Sequence, residues 1–436
     1  MSAKKTRHPG ITEGMSELGI GTMQPHAAPT QSRIEVIDIL RGFALFGILV
    51  VNMGDFSSPG QYFSGLRLWT SSVDRWAEWV VKFFFDGRFY PLFSFLFGLG
   101  FGIQMLRLEE RGVRFVKVYS RRLVILFFIG LLHGILLWWG DVLAVYAFYG
   151  FVLLFLRRLT QKSVIVLSII VFLIPVGVSS VRLLTKAAQT SEQHLVDGRG
   201  VEVAQLNEQD YLRLSNLMEL YSHGTYAQIL DHRFGELVSN YEGWMYRNYG
   251  ANVFGMFLFG LFVARKQVFR NLEEHRSNIR NLCIVSGLTT VIGLAIALYQ
   301  QTGNTSIAER VDVVVFEFFK IERIFQCLLY CCAILLLVRS RILQKILAPL
   351  AAAGRMALTN YLLQSFLCGI IFYGYGFQQY GKLNPSKGLA LSVAIVSLQV
   401  MLSNWWIRRF RFGPMEWAWK SLTYGSFQSM KIVRVA

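Results

Sequence analysis

Apolar residues occur along the chain in long blocks, and short polar connections separate one block from the next. Each block has roughly 16 to 24 residues, the length of helix that crosses the hydrocarbon core of a bilayer. Lipid offers the backbone no hydrogen bonds, so such segments are expected to be helical. The pattern predicts an all-α, polytopic membrane helical bundle of about ten transmembrane helices, at 36–54, 80–106, 121–139, 141–156, 163–184, 249–264, 279–299, 318–338, 356–376 and 388–407.

The second block has a different beginning from the others. Trp76 and Trp79 precede its most apolar part, and tryptophan is enriched where a membrane meets water. We therefore expect an interfacial segment around these two residues and entry into the membrane near Phe89.

The composition agrees with a membrane protein. Hydrophobic residues make up 53% of the chain and charged residues only 16%, whereas soluble domains carry about 25% charged residues. This excludes an ordinary cytosolic enzyme and a disordered protein. The five cysteines lie in or beside apolar blocks, without the spacing of a zinc site or a disulfide framework. We expect structural cysteines and no metal.

The charge distribution predicts the orientation. The net charge of +17 would suggest nucleic acid in a soluble protein, but positive residues also mark cytoplasmic loops. If the amino terminus lies inside, the inner connections hold 27 of the 44 Lys and Arg residues and the outer ones hold 10. Both termini are therefore expected in the cytoplasm, with the lipid bilayer and not nucleic acid as the partner.

The same pattern divides the chain into five parts. Residues 1–32 are polar and predicted to be a disordered cytoplasmic tail, followed by a five-helix transmembrane part at 33–184. Residues 185–248 form a long extracytoplasmic loop, for which a few short helices are expected. A second five-helix part at 249–407 and a cytoplasmic interfacial tail at 408–436 complete the chain.

His133 is the most informative polar residue, because ionisable groups inside a membrane are costly and each is a candidate functional residue. It lies in the third block about 16 Å along the helix from Arg122, near the middle of a core of about 30 Å. Gly130 and Gly134 flank it and permit close helix approach. A neutral imidazole there could accept a proton, or simply form a hydrogen bond to another helix.

Asp141 follows in the tight turn before the fourth block. It could orient His133, but eight residues of helix rise correspond to about 12 Å, so contact requires the chain to fold back at Gly140. The alternative is a helix cap, since Asp is a preferred capping residue. The two roles are compatible.

Two further sets of polar residues lie in the apolar blocks. In the first block, Asp38 and Arg41 have the spacing of a helix-surface pair, and Asn52 lies roughly three turns above Arg41 on much the same face. Arg41 could instead offer its guanidinium to a phosphate or carboxylate. In the ninth block, Asn360 and Gln364 are four residues apart and are expected to face the bundle together.

Five segments together resemble the YeiB-like family of bacterial membrane proteins, a family of undefined function. They are DILRGFALFGILVVN at 38–52, LFSFLFGLG at 92–100, LLHGILLWWGD at 131–141, GRMALTNYLLQS at 354–365 and the segment 413–425. The resemblance covers nearly everything from residue 33 onward and implies a multi-pass protein of the bacterial cytoplasmic (inner) membrane.

This family is similar to a wider group of transmembrane acyltransferases, whose first helix carries Arg followed eleven residues later by His or Asn, as Arg41 and Asn52 do here. The resemblance implies transfer of an acyl group from cytosolic acyl-CoA, a co-substrate and not a permanently bound cofactor, to an envelope glycan or small-molecule acceptor. The group's catalytic histidine falls in the first span or just before the second, where this chain has none. An analogous role would have to move to His133.

The acyltransferase hypothesis assigns a role to each polar residue. His133 would be the general base and Asp141 its orienting acid, while Arg41 and Arg88 would position the donor. Substrate contacts would come from the remaining candidates, Asp38, Asn52, Asn360 and Gln364. The same residues could instead line the pathway of a transporter or exporter, and the chain could also be a non-enzymatic membrane subunit of unknown oligomeric state.

Overall fold

A computed structural model describes residues 35–59, 71–193, 208–246, 249–301 and 309–432. Over these ranges the chain is built from helices, and the only strand-like pairing is an isolated bridge between Phe410 and Lys431. The helices are α1 Glu35–Ser57, α2 Ser72–Phe84, α3 Phe89–Glu109, α4 Phe115–Leu136, α5 Leu143–Leu156, α6 Gln161–Gln193, α7 Glu208–His223, α8 Tyr226–Tyr246, α9 Tyr249–Arg265, α10 Arg276–Gln301, α11 Glu309–Leu337, α12 Arg341–Arg355, α13 Ala357–Phe372, α14 Pro385–Ile407 and α15 Pro414–Tyr424.

The all-helical prediction is confirmed, and each of the ten predicted segments overlaps a helix. Among the described residues, five helical stretches are long and apolar enough to cross a membrane, or six if the bent pair α12–α13 counts as one. Two other apolar helices, α5 and α9, are shorter. The 14 residues of α5 extend only about 21 Å, which is less than a full hydrocarbon core.

The second predicted block is interrupted at residues 85–88, after the helix that contains Trp76 and Trp79. Helix α2 ends at Phe84, the chain turns at Gly87 with a φ of 77°, and α3 starts at Phe89. A positive φ is accessible to glycine without a steric penalty. Phe89 therefore begins a new helix, whereas the sequence predicted one continuous block over 80–106 that enters the membrane near this residue.

Helix α12 was not predicted, because 339–345 was interpreted as a short inner connection. The segment 341–355 instead forms a helix whose beginning is largely exposed, for example at Ile342 and Ile346, and whose end is buried at Ala351, Ala352 and Ala353. It meets α13 at a bend of 79°. An amphipathic helix with a polar face has too little continuous apolar sequence to be recognised as a span.

Glycines set the closest helix contacts. A Cβ atom at Gly98 on α3 would meet the carbonyl of Phe257 on α9, and one at Gly260 on α9 would meet the carbonyl of Phe95. Helices α1 and α12 touch in the same way, with Gly42 against Leu350 and Gly354 against Asp38. These backbone contacts hold α9 closely against α3 and the end of α12 closely against α1.

Candidate functional site

His133 lies in the last turn of α4 and is buried, with 2% of its surface exposed. Its Nδ1 is 2.9 Å from Oδ1 of Asp141, and its Nε2 is 2.8 Å from Oγ of Ser365. A carboxylate only accepts hydrogen bonds, so Nδ1 donates to Asp141, and in the tautomer with a single proton on Nδ1 the Ser365 hydroxyl donates to Nε2. Side chains from α4, from the turn before α5 and from α13 thus form one hydrogen-bonded chain.

The turn after α4 brings Asp141 back to His133. Helix α4 stops at Leu136, and the carbonyl of His133 accepts hydrogen bonds from the amides of Leu137 and Trp138. Gly130 and Gly134 leave room for the returning chain, because a Cβ at Gly130 would lie 2.7 Å from Oδ2 of Asp141. The glycines therefore serve the contact between Asp141 and His133.

Asp141 also holds the beginning of α5. Its Oδ2 accepts a hydrogen bond from the amide of Ala144 at 2.9 Å and one from the hydroxyl of Tyr241 at 3.2 Å. The carboxylate is fully buried, and these donors stabilise its negative charge there. The N-cap residue of α5 is Val142 and not Asp141 as predicted, but Asp141 still binds an amide of the first turn with Oδ2 while its Oδ1 contacts His133.

Helix α8 covers this turn. Tyr241 and Asn240 both reach it, since Nδ2 of Asn240 donates to the carbonyl of Trp139 at 3.2 Å. About two helical turns earlier, Arg233 donates to the carbonyl of Leu136 at 2.8 Å. The helix that lies within the predicted loop 185–248 is therefore part of the site's surroundings.

Ser365 is the member of the site that sequence reasoning missed. A buried serine in an apolar helix carries no signal of its own, because most such hydroxyls bond to the carbonyl one turn earlier. Its helix α13 also places the ring of Tyr361 with its centroid 4.9 Å from that of His133. Ser365 is 2% exposed, so its hydroxyl is shielded from solvent and is hydrogen-bonded to the imidazole of His133.

Asn360 and Gln364 face the interior together, as their spacing predicts, and both hold α13 to α14. Nδ2 of Asn360 donates to Oγ of Ser403 at 3.0 Å, and Nε2 of Gln364 donates to Oε1 of Gln399 at 2.9 Å. The residues are 3% and 2% exposed. Their contacts fix the helix that carries Ser365, and direct substrate contact stays a prediction.

The amino end of α13 is capped from another helix. Glu416 on α15 accepts hydrogen bonds from the amides of Leu358 at 2.6 Å and Thr359 at 3.1 Å, and from the Thr359 hydroxyl at 2.6 Å. Trp419 of the same helix donates through Nε1 to the carbonyl of Arg122 at 3.0 Å. The guanidinium of Arg122 also lies over the ring of Trp419, with Cζ 3.7 Å from the ring centroid. Helix α15 therefore joins α4 to α13 at the end remote from α8.

Arg88 lies between α2, α3 and α11. It is 2% exposed, and it donates through Nη2 to Glu322 at 2.8 Å and through Nε to Gln326 at 2.6 Å. Its Nη1 donates to the carbonyls of Lys82 and Asp86. All three nitrogens are thus engaged within the protein, which favours a structural role over the predicted contact with an acyl donor.

The polar residues of α1 lie in two environments. Arg41 and Asp38 form the expected pair, with Nη1 3.1 Å from Oδ1. Asp38 is buried, whereas 32% of the Arg41 side chain is exposed. Asn52 is half-buried farther along α1. Arg41 therefore has an accessible face, which the predicted contact with an anion requires.

The site offers acid–base and nucleophilic chemistry. A serine hydroxyl bonded to an imidazole, which is bonded in turn to a buried carboxylate, is the arrangement that activates serine in unrelated hydrolases and transferases. In the described part of the chain, His, Cys, Asp and Glu side chains do not gather in groups of three that could hold a metal ion.

Known proteins match nearly the whole chain. It is 34% identical over 413 residues to the Uncharacterized protein YxaH of Bacillus subtilis (strain 168), which covers 92% of this chain and 96% of that protein. A family model described as Protein of unknown function (DUF418) matches residues 263–426. The chain belongs to this YeiB-like DUF418 family. The family match includes Ser365 and Glu416, while His133 and Asp141 lie ahead of it.

A second member of the family is the Uncharacterized protein YeiB of Escherichia coli (strain K12), 29% identical over 395 residues, 89% of this chain and 95% of that protein. An uncharacterized 39.9 kDa protein of Bacillus acidopullulyticus is 28% identical over 404 residues. None of these names states an activity, so the function has to be argued from the site.

Proposed function

We propose that this DUF418 protein is a membrane acyltransferase in which His133, oriented by Asp141, activates Ser365. The observation that carries the proposal is the hydrogen-bonded chain from Asp141 through His133 to Ser365, at 2.9 and 2.8 Å. Acyl-CoA is the proposed donor, and the hydroxyl or amine of an envelope glycan or small molecule is the proposed acceptor.

In the first half-reaction, Oγ of Ser365 attacks the thioester carbonyl and its proton passes to Nε2 of His133. The buried carboxylate of Asp141 stabilises the imidazolium that forms. The carbon–sulfur bond breaks, and His133 returns the proton to the sulfur of the departing CoA. Ser365 is left as an acyl ester, so no oxidant or metal enters the balance.

In the second half-reaction, His133 takes the proton of the acceptor hydroxyl or amine, which attacks the acyl ester. The ester bond to Ser365 breaks, and the proton goes back to Oγ. A single imidazole thus serves as base and acid in both halves. Its fixed ring orientation supports this use, because Asp141 and Ser365 hold one nitrogen each.

In the proposed arrangement the chain crosses the inner membrane ten times, and both termini lie on the cytoplasmic side. Arg41, with its exposed face, is the proposed contact for the phosphates of the donor at the cytoplasmic side. Helix α15 reaches the amino end of α13 from the same side, because Arg122 and Glu416 both belong to segments assigned to the cytoplasmic half. The donor would approach Ser365 from there.

The test uses purified protein in detergent with acetyl-, succinyl- and longer-chain CoA labelled in the acyl group. We expect release of free CoA thiol and a covalent label on the protein that Ser365→Ala and His133→Ala both lose. Ser392→Ala is the matched control, because Ser392 is buried but bonds only to the carbonyl of Gly388 in its own helix. Labelling that survives in Ser365→Ala would refute the acyl-enzyme.

A second candidate function is transport, which the two interrupted helices favour. The breaks between α2 and α3 and between α12 and α13 resemble the discontinuous helices on which transporters build their sites. Uptake of a labelled solute into proteoliposomes without any acyl donor would support transport. Uptake that is unchanged in Ser365→Ala would separate it from the acyl-transfer chemistry.

A further inference from the structure

Arg233 on α8 is a fully buried cation, with 0% of its surface exposed. Its Nη1 donates to the carbonyl of Leu136 at 2.8 Å and to that of Ile135 at 3.3 Å, the two last residues of α4. A cation near the carboxyl end of a helix is favourable, because the free carbonyls there are negative. This contact uses one of the three guanidinium nitrogens.

The other two nitrogens, Nε and Nη2, are buried and form no hydrogen bond with any described residue. They share one edge of the guanidinium, which is the edge that binds carboxylate or phosphate through two parallel hydrogen bonds. A buried donor without an acceptor is destabilising. The orientation therefore leaves free the part of Arg233 that is best suited to an oxyanion.

Within the described ranges, Arg233 has no carboxylate as an ion-pair partner. Glu236 lies one turn farther along α8, but its carboxylate accepts a hydrogen bond from Tyr221 and lies 3.6 Å from Nε2 of His232. A buried charge without a counter-ion is among the most costly features of a fold. An anionic ligand would remove this cost.

Aromatic residues form the surroundings of the guanidinium. The ring centroid of Tyr373 is 5.7 Å from Cζ of Arg233, and the hydroxyl of Tyr375 lies close to the guanidinium. Tyr221 packs on Tyr373 at 5.0 Å and on Tyr380 at 5.1 Å between centroids. The rings surround the guanidinium, and the Tyr375 hydroxyl, whose oxygen faces Arg233, would have its hydrogen available for a bound anion.

We propose that the Nε–Nη2 edge of Arg233 binds an oxyanion, a carboxylate or phosphate group, beneath the helical pair α7–α8. Leu136 is three residues from His133, about 4.5 Å of helix rise, so the anion would lie about one turn beyond the Ser365 site. The binding claim stands alone. The assignment of the anion to the charged group of the acyl acceptor rests on the proposed function.

The experiment measures thermal stability of the purified protein in detergent during titration with sodium phosphate or sodium acetate, against sodium chloride of equal ionic strength. A parallel arm compares nanodiscs of phosphatidylglycerol with nanodiscs of phosphatidylcholine. The variants are Arg233→Gln, which lacks the charge, and Arg233→Lys, which keeps the charge without the two-nitrogen edge. Arg213→Gln on α7 is the control, because this arginine is exposed.

We expect a saturable rise of the unfolding temperature with phosphate or acetate in the wild type and in Arg213→Gln. The apparent Kd should weaken at least tenfold in Arg233→Lys, and the rise should vanish in Arg233→Gln. If phosphatidylglycerol nanodiscs give the stabilisation and free phosphate adds nothing to it, the ligand is a lipid head group.

Two results would overturn the site. One is a wild type that no anion and no anionic lipid stabilises saturably, and the other is a wild-type response in Arg233→Lys. If Arg233→Gln does not fold, the titrations of the wild type and of Arg233→Lys still decide whether the anion site exists. No acyl donor is present, so failure of acyl transfer leaves this outcome untouched.

Discussion

The hydroxyl of Ser365 lies 2.8 Å from Nε2 of His133, although 232 positions separate the two residues along the chain. The contact joins the two halves of the protein, because His133 is on α4 and Ser365 is on α13. Neither half contains the complete site, so the site exists only when both have folded and packed.

The first prediction concerns the three hydrogen-bonded residues. Ser365→Ala and His133→Ala should each lower the rate of acyl transfer by at least about 100-fold, the lower range for loss of acid–base catalysis. Asp141→Asn should lower it as well, because the amide can stabilise the wrong tautomer of His133. Rates from single-turnover CoA release, with thermal stability measured in parallel, separate loss of chemistry from loss of folding.

The control for this series is Ser392→Ala, which removes another buried serine hydroxyl. The proposed mechanism fails if the double variant His133→Ala, Ser365→Ala loses the product of two independent effects, since residues that act as one unit are strongly non-additive.

The second prediction concerns the glycine that admits Asp141. In Gly130→Ala, the new methyl group would lie 2.7 Å from Oδ2 of Asp141 and against the amide of Ala144, and this backbone cannot yield without moving the turn. We expect acyl transfer to fall at least about tenfold, because a misplacement of about 1 Å is enough to disturb catalysis. Gly54→Ala is the control, since its Cβ would meet open space.

The third prediction concerns the buried ion pair of Arg88 and Glu322. Arg88→Ala leaves the Glu322 carboxylate buried without its partner and should destabilise the protein by about 3–5 kcal/mol. Lys82→Ala removes the exposed pair with Glu78 and should cost about 0–1 kcal/mol. Unfolding in denaturant, followed by tryptophan fluorescence, compares the two. Equal effects would show that Arg88 is not a structural anchor.

The fourth prediction concerns the cap on α13. Glu416→Ala removes three hydrogen bonds at the amino end of the helix and should destabilise the protein by about 1–2 kcal/mol, as loss of a strong cap does. Because Ser365 is on the same helix, the rate of acyl transfer should fall too. Glu110→Ala, on a carboxylate that is mostly exposed, should change neither quantity.

The fifth prediction concerns pH. The hydrogen bond with Glu236 raises the pKa of His232, which is on α8 outside the candidate spans. A raised folded-state pKa stabilises the protein below the unfolded value of about 6.5, and this contribution disappears as the pH rises through the folded pKa. The unfolding temperature of the wild type relative to His232→Gln should therefore be higher at about pH 5.5 than at about pH 8.5.

His275→Gln is the comparison for this measurement, because His275 forms no ion pair among the described residues. A difference between wild type and His232→Gln that does not change with pH would contradict the role of Glu236.

The helical bundle could be predicted from the sequence, because the length of the hydrophobic blocks is a strong signal. The break before Phe89 was not predicted, since Trp76 and Trp79 indicated a change of environment within a block that was interpreted as one helix. Helix α12 was not predicted, because Arg341, Gln344 and Lys345 interrupt its apolar residues and its buried alanines are only weakly apolar. The length of a hydrophobic block indicates a continuous apolar segment, and a helix that has polar residues among its apolar ones does not produce this pattern.

Only part of the site could be predicted from the sequence. An intramembrane histidine stands out against apolar neighbours, and Asp141 is near enough in sequence to be considered with it. Ser365 and Tyr241 are far away in sequence and common in type, so only the packing of α13 and α8 reveals them. The pairing of Arg88 with Glu322 was hidden for the same reason.

The glycine contacts have a consequence for the protein's history. Gly98 and Gly260 touch the backbone of the facing helix, and Gly42 and Gly354 do the same between α1 and α12. A side chain at any of these four positions would push two helices apart along their length, whatever its chemistry. A single substitution of any of these glycines is therefore expected to be selected against. Another residue could replace glycine there only if the distance between the two helices increased at the same time.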